Sequence, residues 1–275
     1  QGIIRTNKSK ITIRDTLKKM GDLHVHIGKI DSGSIKVGET VNLEINIEKR
    51  NNARAYHSAT HLLHEALRRT LGKHVTQKGS LVSSEKLRFD FSHNKPIESS
   101  EISKIEKFVN DIIIESSVVK TQIMTPKEAT ENGALALFGE KYGDEVRVLS
   151  MGKEGDSFFS TELCGGTHVK NIQDIGKFKI ISQSSIASGV RRVEALREKQ
   201  LENYEKSLKE NKFDKDKDLN EKINSTKKEL ESLKVIPNYS EDIELGTNLK
   251  NLTKQIEKIK IKNIINDRSK NIVKD

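Results

Sequence analysis

The sequence predicts an α+β protein: a small barrel-like β segment, a mixed domain with a largely antiparallel sheet, then a coiled-coil-like helical hairpin. Three observations carry this. Alternating strand patterns and glycine turns crowd residues 1–48. Helix and strand signals over 49–198 follow one another without the regular alternation of βαβ units. Over 199–275, apolar residues recur at coiled-coil spacing.

In the first stretch, Leu23-His24-Val25-His26-Ile27 and Val41-Asn42-Leu43-Glu44-Ile45-Asn46-Ile47 alternate apolar and polar residues. Gly21-Asp22, Asp31-Ser32-Gly33 and Val37-Gly38-Glu39 supply the turns. His24 and His26 share a strand face, where solvated histidines are far commoner than metal ligands.

The middle stretch opens with a helix from Ala53 to Leu71, stopped by Gly72. Leu87-Arg88-Phe89-Asp90-Phe91 alternates like a strand with one buried face. A second helix is expected from about Ser100 to Glu115, capped by Ser99 or Ser100, with Ile102, Ile105, Val109 and Ile112 on one side. Strands are expected at Val118–Met124, Glu145–Ser150, Ser157–Ser160 and Lys177–Ser182, with a short helix opening at Pro126.

In the tail, Leu219, Ile223, Thr226, Leu230 and Leu233 follow 4-3-4-3 spacing, as do Leu245, Leu249, Leu252, Ile256 and Ile259. Residues Val235 to Ser240 interrupt the two runs, and Pro237 breaks a continuous helix. Two helices folding back on each other, or pairing with another chain, account for this pattern.

Composition narrows the function. At 275 residues, with 33% hydrophobic and 32% charged residues, part of the chain is elongated or highly solvated. No apolar run reaches the length of a membrane span, and no secretory signal pattern is present. One cysteine excludes an internal disulfide framework and fits a reducing cytoplasm. The net charge of +9 is spread along the chain, so a polyanionic partner is permitted but no DNA partner is expected. With 4% aromatics and no Trp, a base-stacking platform for single strands is not expected.

The chemistry concentrates in two stretches, His57-Ser58-Ala59-Thr60-His61 and Cys164-Gly165-Gly166-Thr167-His168. At helical spacing, His57, Thr60, His61 and His64 share an arc of about 100°. Ala55, Ala59, Leu62, Leu63 and Ala66 fall on the opposite side. Histidines at i and i+4 stand side by side, which suits two ligands to one divalent metal. The second stretch adds a thiolate and an imidazole, with two glycines that allow a tight turn between them. His57, His61, Cys164 and His168 make a nitrogen and sulfur donor set that favours Zn2+. Position 58 is Ser, where an HExxH metallopeptidase carries its glutamate base, which argues against a peptidase. A cysteine nucleophile with a histidine base is the other reading, and it leaves the paired helix histidines without a task.

The same residues carry a family resemblance. Ala53 to His64, Gln77 to Val82, Leu87 to His93, Ala136 to Gly143, Thr161 to His168 and Gly189 to Ala195 together resemble the editing domain of alanyl-tRNA synthetases. The resemblance covers about residues 1–198 in the right order. The β segment before it and the helical tail after it also match that synthetase's layout. It implies three parts: a β-barrel segment (1–48), a zinc-dependent editing domain (49–198) and a helical tail (199–275). Threonyl-tRNA synthetases and free-standing alanyl-tRNA editing proteins share the zinc motifs.

The resemblance implies hydrolysis of mischarged seryl- or glycyl-tRNA(Ala), with zinc on His57, His61, Cys164 and His168. Thr60 and Gln77 match positions lining the amino-acid pocket, and Arg191 and Arg192 are candidates for contact with the tRNA acceptor end. Such a site answers a physical need: a pocket made for alanine discriminates weakly against the smaller glycine or against serine, which adds one hydroxyl. Neither an aminoacylation core nor a C-terminal globular domain is seen, so the chain is expected to be a fragment that does not charge tRNA. The helical tail is a candidate for association between copies.

Four protein donors complete a tetrahedron around zinc. Either one donor leaves, or the coordination expands, or zinc only positions the terminal ribose while another group directs the water. Two other classes stand beside the hydrolase. One is a structural zinc module that binds tRNA without catalysis; the other is a coiled-coil interaction protein that relies on 199–275.

Overall fold

In this computed structural model the chain is described over residues 2–21, 23–135 and 143–272. Contacts divide it into two units, Gln1–Glu202 and Asn203–Asp275. The first unit begins with β1 (Gly2–Arg5), β2 (Lys10–Lys19), β3 (Leu23–Ser32) and β4 (Asn42–Ile45), in one antiparallel sheet of order β3-β2-β1-β4. The glycine-turned strands are as expected, but among the described residues the sheet stays open. Four strands, two of them only four residues long, are too few to curl round and close. His24 and His26 lie exposed on β3.

Helix α1 (Ile47–Leu71) starts six residues before the apolar periodicity does. Asn46 accounts for this: its side chain accepts from the Lys49 N–H at 2.9 Å, satisfying an orphan donor of the first turn. The same cap shortens the strand expected through Ile47. At the other end Gly72 stops the helix at a positive φ of 121°, which side chains rarely adopt, its N–H donating to Arg68 O at 2.9 Å.

The remaining elements of this unit are β5 (Gln77–Val82), β6 (Leu87–Ser92), α2 (Ser99–Ile114), β7 (Lys120–Met124), α3 (Pro126–Glu131), β8 (Val146–Glu154), β9 (Ser157–Leu163), β10 (Phe178–Ala187) and β11 (Val190–Arg197). They build two further antiparallel sheets, β10-β11-β6-β5 and β7-β8-β9. Helix α2 is capped at Glu98 instead of a serine, because the Glu101 carboxylate reaches back to the Glu98 N–H at 2.8 Å. Helix α3 repeats the device with Thr125 and Glu128.

Helices α1 and α2 each touch both sheets: α1 packs on β5, β6 and β9, and α2 on β8 and β10. This overturns the picture of a helix with one apolar stripe and one displayed histidine face. Tyr56, Ala59, Leu62, Leu63 and Leu67 are fully buried, but Ser58, Thr60, His61 and His64 on the other faces are buried too. The polar side chains buried with them must find partners inside the protein.

In the second unit, α4 (Glu198–Ser232), which begins in the first, is followed by α5 (Leu245–Ile272). The two apolar runs meet within the chain: Ile223, Leu230, Leu252 and Ile256 form a small core, with Leu245, Leu249 and Ile259 against it. Buried Asn248 ties the connection, donating to Ser240 O at 2.7 Å and Ile243 O at 2.9 Å. A chain ending at Glu202 keeps the whole core of the first unit, including buried Leu201. It is expected to fold and to retain any metal bound by the first unit. Circular dichroism and metal analysis check this; an unfolded product refutes the independence of that unit.

Candidate metal centre and its cleft

Helix α1 delivers His57 and His61 one turn apart, and the end of β9 delivers Cys164, with His168 in the loop that follows. The loop is anchored from its first residue, since Cys164 N–H donates to Arg147 O at 3.0 Å. One donor atom from each of His57, His61, Cys164 and His168 falls within 4.8 Å of the others. The Cys164 Sγ lies 3.3 Å from His168 Nε2 and 3.6 Å from His57 Nε2. Zinc bonds of about 2.0–2.3 Å set tetrahedral ligands about 3.3–3.8 Å apart, so these separations suit the metal.

A second observation tests the fit. Among the described residues His61 Nε2 is buried without a hydrogen-bond partner, while its Nδ1 lies 2.6 Å from Glu162 Oε2. An unmet buried polar atom costs about 1–3 kcal/mol, and a cation on that nitrogen removes the cost. Burial works against ionising Cys164, yet the imidazoles of His168 and His57 at the sulfur bring its thiol down to about 3. Burial and the neighbouring His57 lower His168 to about 4, outweighing the thiolate. A thiolate and a neutral imidazole are the forms a metal binds. Burial also opposes charge on His61, but the Glu162 carboxylate against it prevails and raises the imidazole to about 10, so a metal arriving at Nε2 displaces a proton there.

Beside the four donors lies a cleft of about 470 Å³, lined by Thr60, Gln77, Ser80, Glu145 and Arg147 as well as by His57, His61 and Cys164. Both expected pocket residues therefore reach it. Thr60, however, donates its hydroxyl hydrogen to Tyr56 O at 2.8 Å, so toward the cleft it offers only acceptor lone pairs. Gln77, opening β5, donates from its side-chain amide to Ser80 Oγ at 3.5 Å.

Arg191 and Arg192 do not line this cleft. As successive residues of β11 they face opposite sides of the sheet. Arg192 forms a two-pronged ion pair with Asp90, at 2.7 and 2.8 Å, and Arg191 donates to Gln183 Oε1 at 3.2 Å. The motif residues 136–142 lie outside the described residues.

Three residues of the centre went unassigned in the sequence. Ser58 accepts from the Val169 N–H at 3.2 Å and lies 3.2 Å from His168 Nδ1, bracing that ring. Arg147 donates to the carbonyls of Cys164 and Gly166 and so holds the turn between the two loop ligands. Glu162 touches both His61 and His64.

Residues 146–194 match the family model of the threonyl and alanyl tRNA synthetase second additional domain. The chain is 54% identical over 197 residues to an alanine–tRNA ligase of Parvibaculum lavamentivorans, covering 70% of this chain and 22% of that protein. It is 56% identical over 196 residues to one of Sphingopyxis alaskensis, covering 71% and 22%, and 53% identical over 201 residues to one of Rhodopseudomonas palustris, covering 71% and 23%. The chain thus spans about a fifth of the length of these relatives. No helix among the described residues is long and apolar enough to cross a membrane. The Cys–His loop that closes on the histidine helix thus lies in a stretch of the chain that matches a segment of these alanine–tRNA ligases.

Proposed function

We propose that this chain edits mischarged tRNA, hydrolysing the ester of seryl- or glycyl-tRNA(Ala) with zinc held by His57, His61, Cys164 and His168. The convergence of these four donors beside a cleft lined by Thr60 and Gln77 is the observation that supports it most. Bound there, zinc supplies Lewis acidity and a fixed anchor for the substrate end. The chain's own residues do the rest. Arg147 holds the Cys164–Gly166 turn, Ser58 braces His168, and Thr60 and Gln77 read the side chain of the amino acid. The acceptor end of tRNA(Ala) is the partner on this reading, and the cytoplasm is the setting. Association between copies fits Leu208, Phe213, Ile261, Ile264 and Ile265, which stand exposed on the hairpin helices. Loss of radiolabelled serine from seryl-tRNA(Ala), with metal content measured on the same sample, tests the proposal; a metal-loaded chain that leaves seryl-tRNA intact refutes it.

Thr60 gives the proposal a finer edge. Its hydroxyl already donates to Tyr56 O, so a serine substrate donates to Thr60 Oγ1 and an alanine substrate does not. One such hydrogen bond contributes about 0.5–1.5 kcal/mol, or up to about tenfold. Thr60→Val keeps the shape and removes the acceptor, so the seryl-to-alanyl hydrolysis ratio should fall by up to about tenfold with metal retained. An unchanged ratio means the hydroxyl serves only the helix.

A second reading has a specific observation behind it: the Cys164 sulfur, 3.3 Å from His168 Nε2, also has the form of a nucleophile and its base.

A further inference from the structure

We infer that Glu162 and His64 are positioning residues of the metal centre: one carboxylate is shared between a ligand imidazole and a non-ligand imidazole, fixing His61 for its metal. This rests on the metal reading above. A neutral imidazole carries one proton, and the partner of one ring nitrogen decides whether the other is free to bind. Glu162 Oε2, 2.6 Å from His61 Nδ1, keeps the proton there and leaves Nε2 as the metal-facing lone pair.

A carboxylate free to rotate would fix nothing, but Glu162 is held. Its Oε1 accepts from His64 Nδ1 at 3.0 Å and from Ser160 Oγ at 3.4 Å. His64 follows His61 by three residues on α1, so the two rings grip the two oxygens from one helix face. Its own ring packs against Phe89, with centroids 5.3 Å apart, and is 5% exposed. His64 is not in the donor cluster. The third histidine of the helix is a brace.

Charge points the same way. A divalent cation and the Cys164 thiolate would leave one positive charge in a half-buried site, and the Glu162 carboxylate, itself 4% exposed, brings the formal sum to zero.

The test measures metal affinity of the full chain by competition with a coloured chelator, and ligand geometry by the visible absorption of its cobalt form. Glu162→Gln offers one acceptor to two ring donors, so one tautomer must change, and affinity should fall about tenfold to a hundredfold. His64→Leu should lose about tenfold, whereas His64→Asn, whose amide nitrogen replaces Nδ1, should stay within about threefold. Adding His64→Leu to Glu162→Gln should cost nothing more, because the two act through one carboxylate. Equal losses in His64→Leu and His64→Asn, or additive losses in the pair, reduce His64 to packing and overturn the inference. Unchanged affinity in Glu162→Gln overturns it as well. If the parent chain binds no metal, the metal reading falls and this inference with it; a metal-binding parent with indifferent variants sinks only the inference.

Discussion

Replacing His61 or Cys164 by alanine should take the chain from about one zinc to nearly none, the largest effect foreseen for any single change. Both residues contribute a donor to the same point, one from α1 and the other from the end of β9. Removing one leaves three donors and an open position, and the metal no longer ties α1 to the loop after β9. Loosening should therefore be local, seen as faster amide exchange near His57 and His168, with the hairpin core of Ile223, Leu230, Leu252 and Ile256 unmoved. The nucleophile reading expects something else. There, Cys164 needs only His168 and His57 beside it, so His61→Ala should leave the thiol as reactive as before. In the metal reading, iodoacetamide leaves Cys164 of the loaded chain untouched, and reaction begins when a chelator is added or His61 is removed. Rapid alkylation of the parent chain, with or without chelator, would falsify the metal assignment.

What the sequence shows of this site is what lies close along the chain. The i, i+4 histidines on one helix and the Cys–His pair on one loop are short-range patterns, so periodicity exposes all four donors. Helix ends are legible where they coincide with the end of an apolar run: Gly72 is foreseen, whereas Asn46 is missed because the exposed Glu48–Asn51 turn carries no apolar signal. Strand β11 is missed for a related reason. Its arginines and Glu194 interrupt the apolar pattern; Arg192 is accommodated by Asp90 on β6 and Glu194 by Lys86 in the connection just before β6. The burial of His61 and His64 along with the apolar side of α1 is illegible, because it depends on strands as distant in sequence as β9. The partners of the second set, Ser58 with His168 and Glu162 with His61 and His64, are long-range for the same reason. Each is a polar residue whose task exists only once the elements have met.

The pair Gly165 and Gly166 shows how the structure changes the reason for a residue, and it yields an expected result of its own. In the sequence both glycines read as a tight turn. Neither adopts a left-handed backbone in the fold, so conformational freedom is not what the position demands. Gly166 is needed for room. A Cβ there would overlap the His57 ring, standing 2.7 Å from its Nδ1, whereas a Cβ on Gly165 meets nothing within 4 Å. His57 has little freedom to retreat, because its Nε2 is 3.6 Å from the Cys164 sulfur and its ring centroid 4.2 Å from that of His168. Any shift that relieves the overlap moves a donor out of the cluster. Nor can the loop move instead, for Arg147 holds the Gly166 carbonyl and Cys164 donates its N–H to Arg147 O at 3.0 Å. Gly166→Ala should thus weaken metal binding by about tenfold to a hundredfold, while Gly165→Ala, an open surface change, should alter it by no more than about twofold. Chelator competition on the two variants side by side measures the difference. Equal affinities would show that the ring of His57 is not pressed against Gly166, and that the loop has room to place its ligands some other way.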